Sequence, residues 1–206
     1  MTVEIQALAT FAVGDGRSGR RTVNGIEYTR LLLLLGVLQK RCGMFLARQD
    51  VYINVVGKMR PEGNTADLAV AVALASSLNS IPVRSDTAFV GEVGLLGELR
   101  TVPALEKRIQ EARRMGFSRV VTPLKSRSKK GRKTKFSRVD GIDWIQCDTL
   151  LSAINEGLVR PVPAKRRRAK RREDVDDAPN DLHDLGLEEI MDDDDNYDDD
   201  DDDAFR

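Results

Sequence analysis

The chain has a single histidine, His183, and it lies in an acidic stretch near the C-terminus, so residues 1–172 contain none. That absence removes Ser-His-Asp and Cys-His catalysis, and histidine-ligated metal sites, from the body of the chain. His183 itself reads as a solvated bystander. Cysteine is scarce as well. Cys42 and Cys147 lie far apart and neither belongs to a CxxC pair. There is therefore no zinc-ribbon signal and no disulfide framework, and a reducing compartment fits. Long apolar runs are missing too. The longest, Leu31 to Leu35 with Gly36, Val37 and Leu38, is bounded by Arg30 and Lys40 and is too short to span a bilayer. No membrane partner is expected. No secretory signal is visible, and the N-terminus reads directly as a strand.

Charge is abundant, and its formal sum of zero conceals a division. Residues 173–206 carry 18 Asp/Glu against one Arg, while residues 1–172 carry 32 Lys/Arg against 15 Asp/Glu. A body of +17 is thus joined to a tail of −17. Such a body expects a polyanionic partner, nucleic acid first. Ordinary solubilising charge is the plainer alternative, and the excess is large for it. Hydrophobic residues make up 41% of the chain and concentrate before residue 160, enough for one core.

The pattern predicts strands over Val3–Val13 and Arg20–Ile26, separated by the glycine-rich turn Gly14–Gly19. Tyr28–Cys42 has the length and leucine density of a helix, closed by Gly43. Leu31, Leu34, Leu35 and Leu38 share one face, and Leu32 and Leu33 widen it, which predicts deep burial or packing on two sides. Val51–Val56 reads as a buried strand. Thr65–Leu78, with no Gly or Pro and five alanines, reads as a buried helix capped by Asn64 or Thr65. Two strands follow over Thr87–Val93 and Leu95–Val102. Pro103 opens a helix ending near Gly116, and Ser118–Thr122 is a strand closed by Pro123. Lys125–Arg138 reads as a polar loop, Gly141–Gln146 as a last short strand, and Thr149–Glu156 as a helix capped by Asp148. The expected class is α/β, with helices on a mixed sheet over residues 1–160. A basic linker over 161–172 and an acidic tail over 173–206 are expected to be disordered, since they cannot bury enough apolar surface.

Gly14-Asp15-Gly16-Arg17-Ser18-Gly19 matches GxGxxG, but a strand follows it where a dinucleotide site needs a helix N-terminus. The same glycines nearly give P-loop spacing, with Arg20-Arg21 in place of the required Lys and Ser/Thr. No other P-loop candidate occurs, so no cofactor is expected in this chain.

Asn64-Thr65-Ala66-Asp67, then Val90-Gly91-Glu92-Val93, then Glu106-Lys107-Arg108 resembles the Pro-Ser-Ala-Gly, Thr-Gly-Glu and Lys-Glu-Lys series of Lon proteolytic domains. The resemblance places Thr65 on the family's serine and Arg108 on its lysine, 43 positions apart. That dyad needs a lysine able to lose its proton, which arginine cannot do. Lys107 is turned about 100° away on a helix and is a poor substitute. Catalytic residues are therefore expected to be absent, with Thr65 and Arg108 as degenerate dyad positions. A closer match runs from Val3 to Leu158. Its motifs are Val3–Leu8, Arg20–Leu31, Gln49–Gly57, Ala66–Ala69 and Gly91–Leu95, and it resembles the C-terminal domain of the bacterial-type RadA (Sms) family. The resemblance implies a Lon-like fold without a working protease dyad, ring assembly as a homo-oligomer up to a hexamer, and a DNA-binding role in recombinational repair, on single-stranded or branched DNA. In that family ATP and Zn belong to an upstream motor and zinc finger, and neither is found in these residues, which leaves a partial product or a stand-alone domain. The compartment implied is chloroplast or mitochondrion, from the family and the tail composition, or the cytoplasm for a bacterial source.

Basic residues supply a separate line of argument. Lys125, Arg127, Lys129, Lys130, Arg132, Lys133, Lys135 and Arg138 fall in one acid-free stretch with Phe136 as its sole aromatic. Together with Arg20 and Arg21 they are the expected DNA contacts, following phosphates without stacking on bases. A solvated charged loop is the plainer alternative. Lys165–Arg172, seven basic residues in eight, reads as a nuclear-localisation-like run, a second phosphate contact or a charged linker. The acidic tail either solubilises or folds back and competes with DNA. Two rival functions stand beside DNA scaffolding: an active Lon-type peptidase fragment, and a basic module for RNA or an acidic protein.

Overall fold

A computed structural model describes residues 2–12, 19–57, 61, 63–125 and 134–161. The chain divides into two units, Met1–Lys165 and Arg166–Arg206, and the second lies outside the described residues. So do the glycine-rich turn at 14–18, the basic residues Arg127, Lys129, Lys130, Arg132 and Lys133, all but Pro161 of the expected linker, and the expected tail.

Strand β1 (Glu4–Phe11) pairs antiparallel with β3 (Gln49–Val56), which pairs parallel with β2 (Arg21–Asn24) on its other side. Burial alternates along all three, so one face meets the core and the other meets solvent. The exposed face carries a polar ladder in which Asn24 donates to Asn54 (2.9 Å) and Asn54 to Gln6 (3.2 Å). β3 was expected to be buried outright, but only Val51, Ile53 and Val55 are. Gly25 follows β2 at φ 90°, with the Val55 side chain 2.5 Å from where a Cβ would stand, so only glycine fits this turn.

Helix α1 (Tyr28–Cys42) ends on Gly43 in the left-handed conformation, whose side-chain-free backbone closes the helix at no steric cost. Leu31, Leu34, Leu35, Val37 and Leu38 are buried, whereas Leu32 is 44% exposed. The helix therefore packs through one face and not two. Helix α2 (Asp67–Asn79) starts two residues later than expected, with Ala66 at the cap position and no side-chain cap bond, which removes Asn64 and Thr65 as caps. Its alanines and valines bury nearly all round.

The second sheet runs β4 (Thr87–Phe89), β7 (Arg119–Pro123), β9 (Ile142–Cys147), β8 (Thr134–Val139), the first three parallel and β8 antiparallel. Val120 and Val121 are both fully buried on opposite faces of β7, because helices cover both sides. Helices α1, α2 and α4 (Leu150–Gly157) share the main core with Val121 and Ile145. Helix α3 (Leu105–Arg114) makes a smaller second core through Leu105, Ile109 and Ala112 against Val120 and Ile142. The architecture is thus mixed α/β with mixed sheets.

Four expectations are corrected in this half of the fold. Thr134–Val139 is strand β8, so Lys135 and Arg138 stand on a paired strand and not in a loop. The expected strands 87–93 and 95–102 shrink to β4 and a tight hairpin of β5 (Glu92–Val93) and β6 (Leu99–Arg100). Helix α3 begins at Leu105 and not at Pro103, because Ala104 takes a left-handed conformation (φ 54°) between them. In α4 the cap is Thr149, whose hydroxyl accepts from the Ser152 N–H at 3.3 Å, and not Asp148.

Candidate functional site

Two of the three motif pieces meet at the start of α2. The Gly91 N–H donates to the Thr65 carbonyl (3.3 Å), the Leu68 N–H to the Gly91 carbonyl (3.1 Å), and the Val93 N–H to the Asp67 carboxylate (3.1 Å). Asp67 is 4% exposed. A carboxylate so deep needs a cation and several donors, and Arg30 of α1 supplies both. Its Nε lies 3.0 and 3.1 Å from the two Asp67 oxygens, its terminal nitrogen also bonds the carboxylate, and the same nitrogen donates to the Val93 carbonyl at 2.8 Å. Burial pushes the Asp67 carboxyl above its ordinary value, opposed by the Arg30 guanidinium and the Val93 N–H. The bond to Asp67 in turn raises Arg30.

Beside this pair is a cavity of about 310 Å³ bordered by Gly25, Glu27, Arg30, Asn64, Asp67 and Val70. Its size reaches the lower bound of small-molecule sites. Its chemistry is an ion pair, an amide and a second carboxylate, with no nucleophile–base couple. Thr65 lies in the turn that precedes α2. Arg108 lies in the first turns of α3, where its Nε donates to the Pro103 carbonyl at 3.1 Å and braces the strained entry at Ala104. Among the described residues no group of three or more His, Cys, Asp or Glu is placed to hold a metal ion.

The expected DNA contacts separate into different settings. Arg21 donates to the carbonyls of Gln49 and Leu46 (2.8 Å to the latter), so its guanidinium ties β2 to the chain leading into β3. Arg20 is exposed, and its backbone N–H bonds Asp50 at 2.6 Å. Lys125 pairs with Glu106 and stands 5.0 Å from the centroid of the Trp144 ring. Lys135 is exposed on β8, and Arg138, 76% exposed, lies 3.8 Å from Asp143. The structure brings Lys125 and Lys135 to the same end of the second sheet, since β9 pairs Trp144 and Gln146 with Ser137 and Lys135.

Sequence reasoning missed Arg30, Asp67 and Trp144 as site residues. A usable signal existed for the first two: a lone Asp opening an alanine-rich buried helix demands a cation, and Arg30 opens the leucine face of the neighbouring helix. No signal linked Trp144 to Lys125, because strand pairing brings them together.

Comparison with known proteins gives two findings. The family model described as ChlI, subunit ChlI of Mg-chelatase, matches residues 36–126. Proteins named DNA repair protein RadA are similar over just over half of the chain. The Streptococcus pyogenes serotype M3 protein is 44% identical over 115 residues, which is 56% of this chain and 25% of that protein. The Listeria monocytogenes protein is 43% identical over 115 residues, and that of Haemophilus influenzae 44% identical over 117, each again covered to 25%. The chain thus spans about a quarter of the length of the curated relatives it matches. The ChlI-matched stretch contains no P-loop sequence.

Proposed function

We propose that this chain is a protease-dead, Lon-like scaffold domain of RadA type that binds DNA and supports ring assembly in recombinational repair. The observation that carries the reading is the 44% identity over 115 residues with proteins named for DNA repair. The site chemistry agrees with it. Where a Lon-type peptidase needs a free nucleophile and base, the start of α2 is filled by the Arg30–Asp67 pair, and Arg108 braces the entry to α3. Arg20 and Lys135 are exposed cations, Lys125 and Arg138 are exposed beside Glu106 and Asp143, and the sequence adds Arg127, Lys129, Lys130, Arg132 and Lys133 between Lys125 and Lys135. Contacts of this kind position a backbone without reading bases. ATP-driven movement belongs to a motor outside these residues. An organellar or bacterial cytoplasmic setting goes with the same reading.

The test is titration of a labelled oligonucleotide across salt concentrations. Affinity is expected to fall with a log–log slope of about 0.7 per phosphate contact for single strands, and neutralising the cations from Lys125 to Arg138 should flatten it. Salt-independent or absent binding sinks the reading. Casein turnover abolished by Thr65→Ala would establish the peptidase instead.

A further inference from the structure

Two leucines stand at the tip of the β5–β6 hairpin. Gly94, Leu95, Leu96 and Gly97 form a turn closed by the Gly97 N–H on the Gly94 carbonyl at 2.9 Å. Leu95 is 68% exposed and Leu96 71%. Turn tips favour Asn, Asp, Ser, Gly and Pro, so a leucine pair there does nothing for the turn itself. The tip is also held in one conformation. Glu98 accepts from the Leu96 N–H at 3.0 Å and lies so close to Gly94 that no side chain fits at that position. The Gly97 carbonyl accepts from the Leu150 N–H at 2.8 Å, and the Arg41 side chain packs against Gly97. An apolar knob fixed in this way loses little freedom when it is covered. Arg41 and its neighbour Lys40 are exposed at the end of α1, and no acid among the described residues pairs with either.

A complementary hollow lies on the other side of the second sheet. The hairpin belongs to the main core through Val93 and Leu99. On the opposite face, α3 and the β8–β9 turn border a cleft of about 90 Å³, with Ile109, Val139, Ile142 and Trp144 as apolar walls and Glu106 and Asp140 at the rim. It is far below the roughly 300 Å³ at which small-molecule sites begin, and suits a side-chain tip. Glu106 and Asp140 are exposed, and their pairs with Lys125 and Arg113 are surface pairs, worth little and open to exchange. Building on the ring-assembly reading above, we propose that the Leu95–Leu96 turn of one copy of this chain seats in the α3 cleft of the next, with Lys40 and Arg41 facing Glu106 and Asp140. Two observations select a second copy as the occupant. Knob and cleft lie on opposite faces of one sheet, so a chain cannot fill its own cleft. The unpaired cations beside the knob also answer the exposed acids at the cleft. A contact between two different patches is heterologous, and its repetition closes a ring when the rotation permits. A nucleic acid gains nothing from exposed leucines and is repelled by the rim acids.

The experiment is sedimentation of the full 206-residue chain beside two variants. Leu95→Glu with Leu96→Glu spoils the knob and leaves the cleft. Val139→Arg fills the mouth of the cleft, sets a like charge against Lys40 and Arg41, and leaves the knob. The unmutated chain is expected to sediment as a closed oligomer, and each variant alone as a monomer. An equimolar mixture of the two variants should give a dimer and nothing larger, because the mixture retains one intact knob and one intact cleft per pair. Circular dichroism checks that both variants fold. Should Val139→Arg fail, Gln110→Arg at the same exposed rim takes its place. Oligomers that survive either variant overturn this contact and leave the ring reading standing. Loss of assembly in both variants with no dimer in the mixture overturns the pairing of knob with cleft. An unmutated chain that stays monomeric at every concentration reached overturns the contact and the ring reading together.

Discussion

Asp67 shows what a single buried charge requires. Its carboxylate gathers the Arg30 guanidinium and the Val93 N–H at the N-terminus of α2. The pair is nearly dry, with side chains 18% and 5% exposed. Removing one partner of such a pair costs far more than removing both, because the survivor keeps its desolvation penalty. Arg30→Met is expected to destabilise the fold by about 3–5 kcal/mol in urea unfolding at neutral pH. Adding Asp67→Leu should recover much of that loss. The pH dependence has a definite sign. An orphaned, buried Asp67 is held above its ordinary value, so it stabilises only while protonated and loses that stability as pH rises through its folded-state value. The Arg30→Met deficit should therefore shrink as pH falls towards the ordinary aspartate range. A deficit below about 1 kcal/mol, flat with pH, would show that the carboxylate is not buried as a charge.

Caps separate the elements that could be read in advance from those that could not. Helix α1 was legible to the residue, because its leucine spacing and its terminal glycine are both local signals. Helices α2 and α4 were legible in existence but not in their caps. Asn64 and Thr65 have the right chemistry, yet the turn 63–66 gives the Thr65 carbonyl to Gly91 and starts the helix after Ala66. In α4 the hydroxyl of Thr149, not the carboxylate of Asp148, meets the Ser152 N–H. Thr149→Ala should accordingly cost about 0.5–2 kcal/mol in denaturant unfolding. Thr65→Ala should stay within about 0.5 kcal/mol. Equal effects would contradict the cap assignment. Strand β8 was hidden for another reason. Lys135 and Arg138 make it look like solvated loop, and only its pairing with the apolar β9 reveals an edge strand, a place where charge is tolerated. The site was half legible. A lone Asp opening a buried helix calls for a cation, but Arg30 lies 37 residues away in sequence and its contact with Asp67 is set by the packing of α1 on α2.

Across the whole molecule the dominant fact is the division of charge. The matched excess of +17 before residue 173 and −17 after it gives the chain a polyanion of its own. On the DNA-binding proposal, a tethered polyanion would compete with DNA at the effective concentration its linker sets. The 18 acids of 173–206 carry that competition, because each can replace a phosphate in the counterion balance. Removing residues 173–206 is therefore expected to raise DNA affinity by about tenfold or more at low salt. The gain should fade as ionic strength rises, since screening weakens tail and DNA alike. Replacing the tail acids with Asn and Gln at unchanged length should reproduce the effect, which separates charge from bulk. Affinity unchanged by both alterations at low salt would mean that the tail only solubilises, and the basic body would then meet DNA without an internal rival.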